Sequence, residues 1–105
     1  MGKRPPLAKS ELEVVRIVWK LRQATVRQVL DALPSGRKLD FWTVQTYLRR
    51  LETKGYLRKR LEGRNSVYSS KVRPNTVIRE VIDDVVARLF DGDALPMFQH
   101  LIEDR

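Results

Sequence analysis

Trp42, Gln45, Thr46, Arg49, Arg50 and Thr53 make a hydrogen-bonding and cationic set with no carboxylate among them. At roughly 100° per residue they fall on one side of a helix. The opposite side carries Val44, Leu48 and Leu51 at i, i+4 and i+7, an apolar stripe flanked by Tyr47. The chemistry open to the polar side is recognition rather than bond making. Gln pairs bidentately with adenine in a major groove, Thr and Trp pack on thymine methyls, and Arg and Lys neutralise phosphate. We therefore read Trp42, Thr43, Gln45, Thr46 and Arg50 as base-facing. Lys38, Arg49, Thr53, Arg58, Arg60 and Arg64 read as phosphate-facing, with Lys59 basic on the same segment. The competing reading is a solvated surface helix, in which Arg49 or Arg50 pairs with Glu52 or Asp31.

Other chemistries lack their residues. There is no Cys, so thiolate nucleophiles, thiolate metal sites and disulfides are excluded. His100 is the only His and has no Cys or Ser partner in its stretch. Asp83 and Asp84 are adjacent and splay on a helix, and no Gly-rich phosphate loop appears. No catalytic residue, metal or cofactor is assigned. No apolar run approaches ~18 residues, and the start lacks the apolar stretch of a signal peptide. A cytoplasmic protein without stable membrane association is the expectation.

Charge divides the chain. Residues 1–73 hold 18 Lys/Arg and 6 Asp/Glu, or +12, and residues 74–105 hold 3 and 7, or −4, which together give the net +8. A basic front points to nucleic acid first. An RNA-binding or protein-interaction module, or an anionic membrane surface, are the alternatives.

The elements that must position these residues follow in order. A basic lead-in contains Pro5-Pro6 and Lys3. Ser10 and Glu13 have the spacing of a capping box, predicting a helix over 11–21, with Trp19 in its core face. Thr25 caps a second helix, Val26 to Leu33, stopped by Pro34-Ser35-Gly36. Asp40 caps the third, and Lys54-Gly55 ends it. The period then changes to two strands, 56–62 and 66–71, around the turn Gly63-Arg64-Asn65. Three helices followed by a basic hairpin predict a mainly α winged helix-turn-helix over residues 1–73.

Residues 74–105 read as a helical dimerisation region. Asn75 is the expected N-cap of a helix carrying Val77/Ile78, Val81/Ile82, Val85/Val86 and Leu89/Phe90, a wide apolar stripe. Asp91-Gly92-Asp93 breaks it, and residues 94–103, with Ala94, Leu95, Met97, Phe98, Leu101 and Ile102, form a last helix. We expect a homodimer through this stripe, Phe98 and Leu101 included, presenting paired reading helices to an inverted repeat of double-stranded DNA.

With these residues in view, residues 7–103 resemble the penicillinase-repressor family of winged-helix regulators, of the BlaI/MecI type. The run from Leu7 to Trp19 is similar to that family's opening motif, and Thr43 to Leu57 is similar to its reading helix and the turn after it. Tyr68-Ser69 matches the second wing strand, and Phe90-Asp91-Gly92-Asp93 its helix break. The resemblance implies a dimeric transcriptional repressor on an operator dyad. It implies a regulatory protease as a partner, cutting between the last helices near His100-Leu101 after a membrane sensor detects a β-lactam. The absence of Cys disfavours the family's copper-responsive mode. Relatives often show Tyr-Thr-Thr-Val where this chain has Phe41-Trp42-Thr43-Val44, so Trp42 alters the expected readout.

Overall fold

The structure is a computed structural model that describes residues 4–90 and 95–103. The expected break at Asp91-Gly92-Asp93, together with Ala94 and Lys3, lies outside those residues. The chain divides into two compact units, Met1–Arg73 and Pro74–Arg105.

In the first unit α1 covers Lys9–Leu21, so it begins before the predicted Glu11. Ala8 is the extended N-cap residue, and its amide donates to the Glu11 carboxylate at 2.8 Å. Ser10 and Glu13, expected to cap, instead hold the Arg37 guanidinium at 3.3 and 2.9 Å. Helix α2, Val26–Ala32, starts with a reciprocal cap: the Thr25 amide donates to Gln28 Oε1 (2.9 Å) and the Gln28 amide to Thr25 Oγ1 (3.2 Å). It stops at Ala32 rather than Leu33, because Pro34 forces the residue before it into extended backbone (φ −64°, ψ 146°).

Helix α3, Phe41–Thr53, has Asp40 as its N-cap, accepting from the Thr43 amide at 2.7 Å. Its end is a Schellman motif. The Gly55 amide donates to Glu52 O (3.0 Å) and the Tyr56 amide to Leu51 O (2.9 Å). Gly55 supplies the required left-handed backbone with φ 91°, and the buried side chains of Tyr56 and Leu51 complete the motif.

Strands β1 (Gln23–Ala24), β2 (Leu57–Glu62) and β3 (Asn65–Ser70) form an antiparallel sheet in the order β1-β3-β2. Asn65 belongs to β3, not to the turn, because Glu62 pairs with Asn65 and leaves Gly63-Arg64 as a two-residue loop. Positive φ at Gly63 (64°) but not at Arg64 fits a type II′ turn. Beside the expected hairpin, Gln23 and Ala24 pair with Ser69 and Tyr68. This third strand ties the wing to the helices.

The core of this unit is made by the inner faces of α1 (Val14, Val15, Val18), α3 (Val44, Leu48, Leu51) and the sheet (Leu57, Tyr68), all buried. Each such side chain contributes roughly 1.5–3 kcal/mol. Trp19 is half-buried on α1. The architecture is a winged helix: three helices and a small antiparallel sheet whose long hairpin is the wing.

Arg22, between α1 and β1, adopts φ 72° and ψ −43°, where a Cβ is strained. Arg22→Gly should therefore raise stability by about 1 kcal/mol. A urea midpoint that fell instead would show that the arginine side chain compensates for its backbone.

In the second unit α4 covers Pro74–Leu89 and α5 covers Leu95–Glu103. Asn75 is thus inside α4 rather than its cap, because Pro74 takes the first helical position, where its missing N–H is not needed. Val77 and Val86 are already buried in the single chain, and Phe90 is half-buried. Ile78, Val81, Ile82, Val85 and Leu89 are exposed along α4, as are Leu95, Phe98, Leu101 and Ile102 on α5. Phe90 and His100 face each other with ring centroids 6.0 Å apart. Arg88 pairs with Asp84 one turn before it.

Candidate nucleic-acid interface

The apolar stripe of α3 decides what its other side presents. With Val44, Leu48 and Leu51 fully buried, Trp42, Thr46, Arg49, Arg50 and Thr53 are left exposed. Thr43 and Gln45 lie at the margin, half-buried. Trp42 is 70% exposed, an unusual position for a large aromatic, and its ring meets Phe41 edge-on at 5.6 Å. That contact orients the indole at the head of the helix.

Two of the expected base readers are engaged locally. The Thr46 hydroxyl donates to Trp42 O at 2.9 Å, which leaves its oxygen as an acceptor. The Arg50 guanidinium lies over the Tyr47 ring, 5.9 Å from the centroid. Neither Arg49 nor Arg50 forms an ion pair among the described residues, and Asp31 pairs with Arg27 instead at 3.9 Å. The expected competition from Glu52 and Asp31 is therefore absent from this set.

Thr46, Arg49, Arg50, Thr53 and Lys54 line a furrow of about 310 Å³ along this side of α3. The only acid at the helix head is Asp40. The backbone N–H of Thr43, bonded to its carboxylate, holds its pKa below the ordinary aspartate value. It acts as a cap.

In the sequence Lys54 marks only the stop of α3, yet it lines the furrow and anchors it. Its ammonium donates to Glu11 at 2.6 Å and to Pro6 O at 3.0 Å. The Tyr56 hydroxyl donates to Pro5 O at 2.8 Å, and Arg4 lies over the Tyr56 ring at 5.6 Å. The lead-in is thereby strapped to the end of α3. Glu11 is buried beneath it. Burial pushes its carboxyl up, but the hydrogen bonds from Lys54 and the Ala8 amide, with the charges of Lys54 and Arg50, outweigh that and hold it below the ordinary glutamate value. No local spacing signals this pair, whose members are 43 positions apart.

On the wing, the register places Arg58 and Arg60 on one face and Lys59 on the other. Arg58, Arg60 and Arg64 are exposed, as is Lys38 in the loop before α3. Arg60 is tied down, donating to Gln23 Oε1 (3.1 Å) and Glu62 Oε2 (2.8 Å). Tyr68 is buried, and that burial, with the Glu52 charge, raises its phenol pKa. It packs rather than faces outward. Among the described residues there is no cluster of His, Cys, Asp and Glu able to hold a metal, and no helix long and apolar enough to cross a membrane.

The sequence and the fold that carry this surface are paralleled in known proteins. The profile described as penicillinase repressor matches residues 7–105. The penicillinase repressor of Bacillus licheniformis is 29% identical over 104 residues, covering 99% of this chain and 81% of that protein. An uncharacterized 16.5 kDa protein in the ptsI 3′ region of Latilactobacillus sakei is 41% identical over 63 residues, 60% of this chain and 43% of that one. Among solved structures, the DNA-binding domain of the repressor BlaI is similar with TM-score 0.61 and 34% identity, covering 70% of this chain and 90% of that domain. The monomeric form of Bacillus licheniformis BlaI in complex with the blaP half-operator is similar with TM-score 0.59 and 33% identity, covering 71% and 92%. The sequence and the fold agree, and the chain belongs to the penicillinase repressor family.

Proposed function

We propose that this chain is a cytoplasmic, sequence-specific DNA-binding transcriptional repressor that works as a homodimer on an inverted-repeat operator. The observation that carries the reading is the exposed side of α3, where Arg49 and Arg50 have no acidic partner among the described residues. Its similarity to a BlaI structure in complex with a half-operator supports the same reading. In this reading Trp42, Thr43, Gln45, Thr46 and Arg50 meet base edges, while Lys38, Arg49, Thr53, Arg58, Arg60 and Arg64 meet phosphates. Blocking polymerase by occupancy needs no bond making, so no cofactor enters.

The dimer uses the exposed members of the apolar stripe: Ile78, Val81, Ile82, Val85, Leu89, Phe98 and Leu101. A patch of this extent in water marks an interface. Val77 and Val86 are already buried in the single chain. Family membership supports β-lactam-response genes as targets and release by a regulatory protease. The test of release is the intact mass of the protein in its host before and after exposure to a β-lactam.

Selecting bound fragments from genomic DNA should return a two-fold motif, and footprinting should show protection of both halves. No protected palindrome, or equal competition by structured RNA, would refute the reading. Gln45→Ala should reduce the preference for the selected motif over scrambled duplex by about 1–3 kcal/mol per half-site, with little effect on the scrambled duplex. An equal loss on both duplexes would remove Gln45 from the base readers.

A further inference from the structure

We propose that the furrow between α1 and α2 is a docking surface for an amphipathic helix of another protein, one whose apolar stripe is flanked by carboxylates. The furrow is an open depression of about 510 Å³. Its floor is apolar: Ile17 and Leu21 from α1, Ala32, Leu33 and Pro34 from the end of α2. Leu21 is 40% exposed and, with Ala32, also borders an adjoining depression whose other residues, Gln23, Gln28 and Asp31, are polar, so the apolar floor ends there.

Charge on the rim is what selects the partner. Of the acids bordering the two hollows, Glu13 is bound by Arg37 at 2.9 Å and Asp31 by Arg27 at 3.9 Å. The two cations, Arg16 and Lys20, are exposed and have no acidic partner among the described residues. They stand one turn apart on one wall, so the rim presents uncompensated positive charge along an apolar floor. From Glu13 to Leu21 the wall runs ~12 Å at ~1.5 Å per residue. That matches about two turns of a partner helix laying i, i+3, i+4 and i+7 anchors into a groove.

The furrow is also turned away from the site on α3. The residues of α1 that face it are centred about 140° round the helix from the buried set Glu11, Val14, Val15 and Val18. Because α1 packs on α3 through that buried set, an occupant of the furrow leaves the outer side of α3 clear.

The proposal is independent of the DNA reading and is tested without DNA. Helix-favouring 16-residue peptides, randomised among Leu/Phe, Asp/Glu and Lys/Arg, are selected against the full chain. The expected winners carry an apolar stripe with flanking acids. Ile17→Asp should weaken them at least about tenfold. Because Ile17 is half-buried and its variant risks misfolding, the double change Arg16→Glu with Lys20→Glu supplies a second readout on exposed positions. It should reverse the preference toward peptides with basic flanks. Three results overturn the proposal: no enrichment, enrichment unmoved by either variant, or stronger binding by a peptide of residues 95–105, which would assign the furrow to the tail of a second copy.

Discussion

Raising the salt from about 50 to about 200 mM should weaken half-site binding by up to roughly 500-fold. The figure follows from the five cations Lys38, Arg49, Arg58, Arg60 and Arg64, each releasing about 0.9 counterions per phosphate, for a log–log slope near −4.5. A homodimer on both halves doubles the slope to about −9, and the loss becomes on the order of 10⁵. Arg49→Ala should reduce the slope by about 0.9 per half-site and weaken every sequence alike. Arg60→Ala should reduce it by less, because Glu62 already holds the Arg60 guanidinium at 2.8 Å and competes with phosphate. Binding isotherms across a salt series read all three slopes. A flat response would remove the phosphate role from these residues, and an Arg60 effect equal to that of Arg49 would mean that the Glu62 pair opens freely.

Glu11→Ala should destabilise the protein by about 3 kcal/mol near neutral pH, the lower end for breaking a buried ion pair. The lower end applies because Lys54, left behind, is 24% exposed and regains some water. The loss spreads further than one pair. Glu11 also accepts from the Ala8 amide, and Lys54 also holds Pro6 O, so the start of α1, the lead-in and the end of α3 loosen together. Glu11→Gln keeps an acceptor and should be milder.

The pH dependence has a definite sign. The folded-state pKa of Glu11 lies below its unfolded value, so its contribution is present above about pH 4.5 and is lost as the pH falls through the folded value. The stability gap between the parent and Glu11→Gln should therefore shrink in acid. Urea unfolding at a series of pH values measures it. Equal stability at neutral pH, or a gap that widened in acid, would refute the role given to this carboxylate.

Features set by near neighbours in the chain were legible from the residues alone. The stripe of Val44, Leu48 and Leu51 defines both faces of α3, and the structure buries all three. Asp40 and Gly55 mark its ends because capping and left-handed backbone depend on a few adjacent groups. The hairpin was legible for the same reason, from alternation and a turn glycine.

What the residues could not reveal depends on where the chain returns in space. Ser10 and Glu13 have capping spacing, yet Arg37 lies against them and Ala8 with Glu11 makes the helix start instead. Ala24-Thr25-Val26 reads as a short β-prone stretch, but the strand that forms is Gln23-Ala24, placed by β3 lying alongside. Lys54, Glu11, Pro6 and Tyr56 come together across more than 40 positions, and no periodicity encodes that meeting. Local pattern determined which side of α3 is polar. Only the tertiary contacts decided how its end is held and which of its cations stay unpaired, because pairing depends on distance in space and not on spacing along the chain.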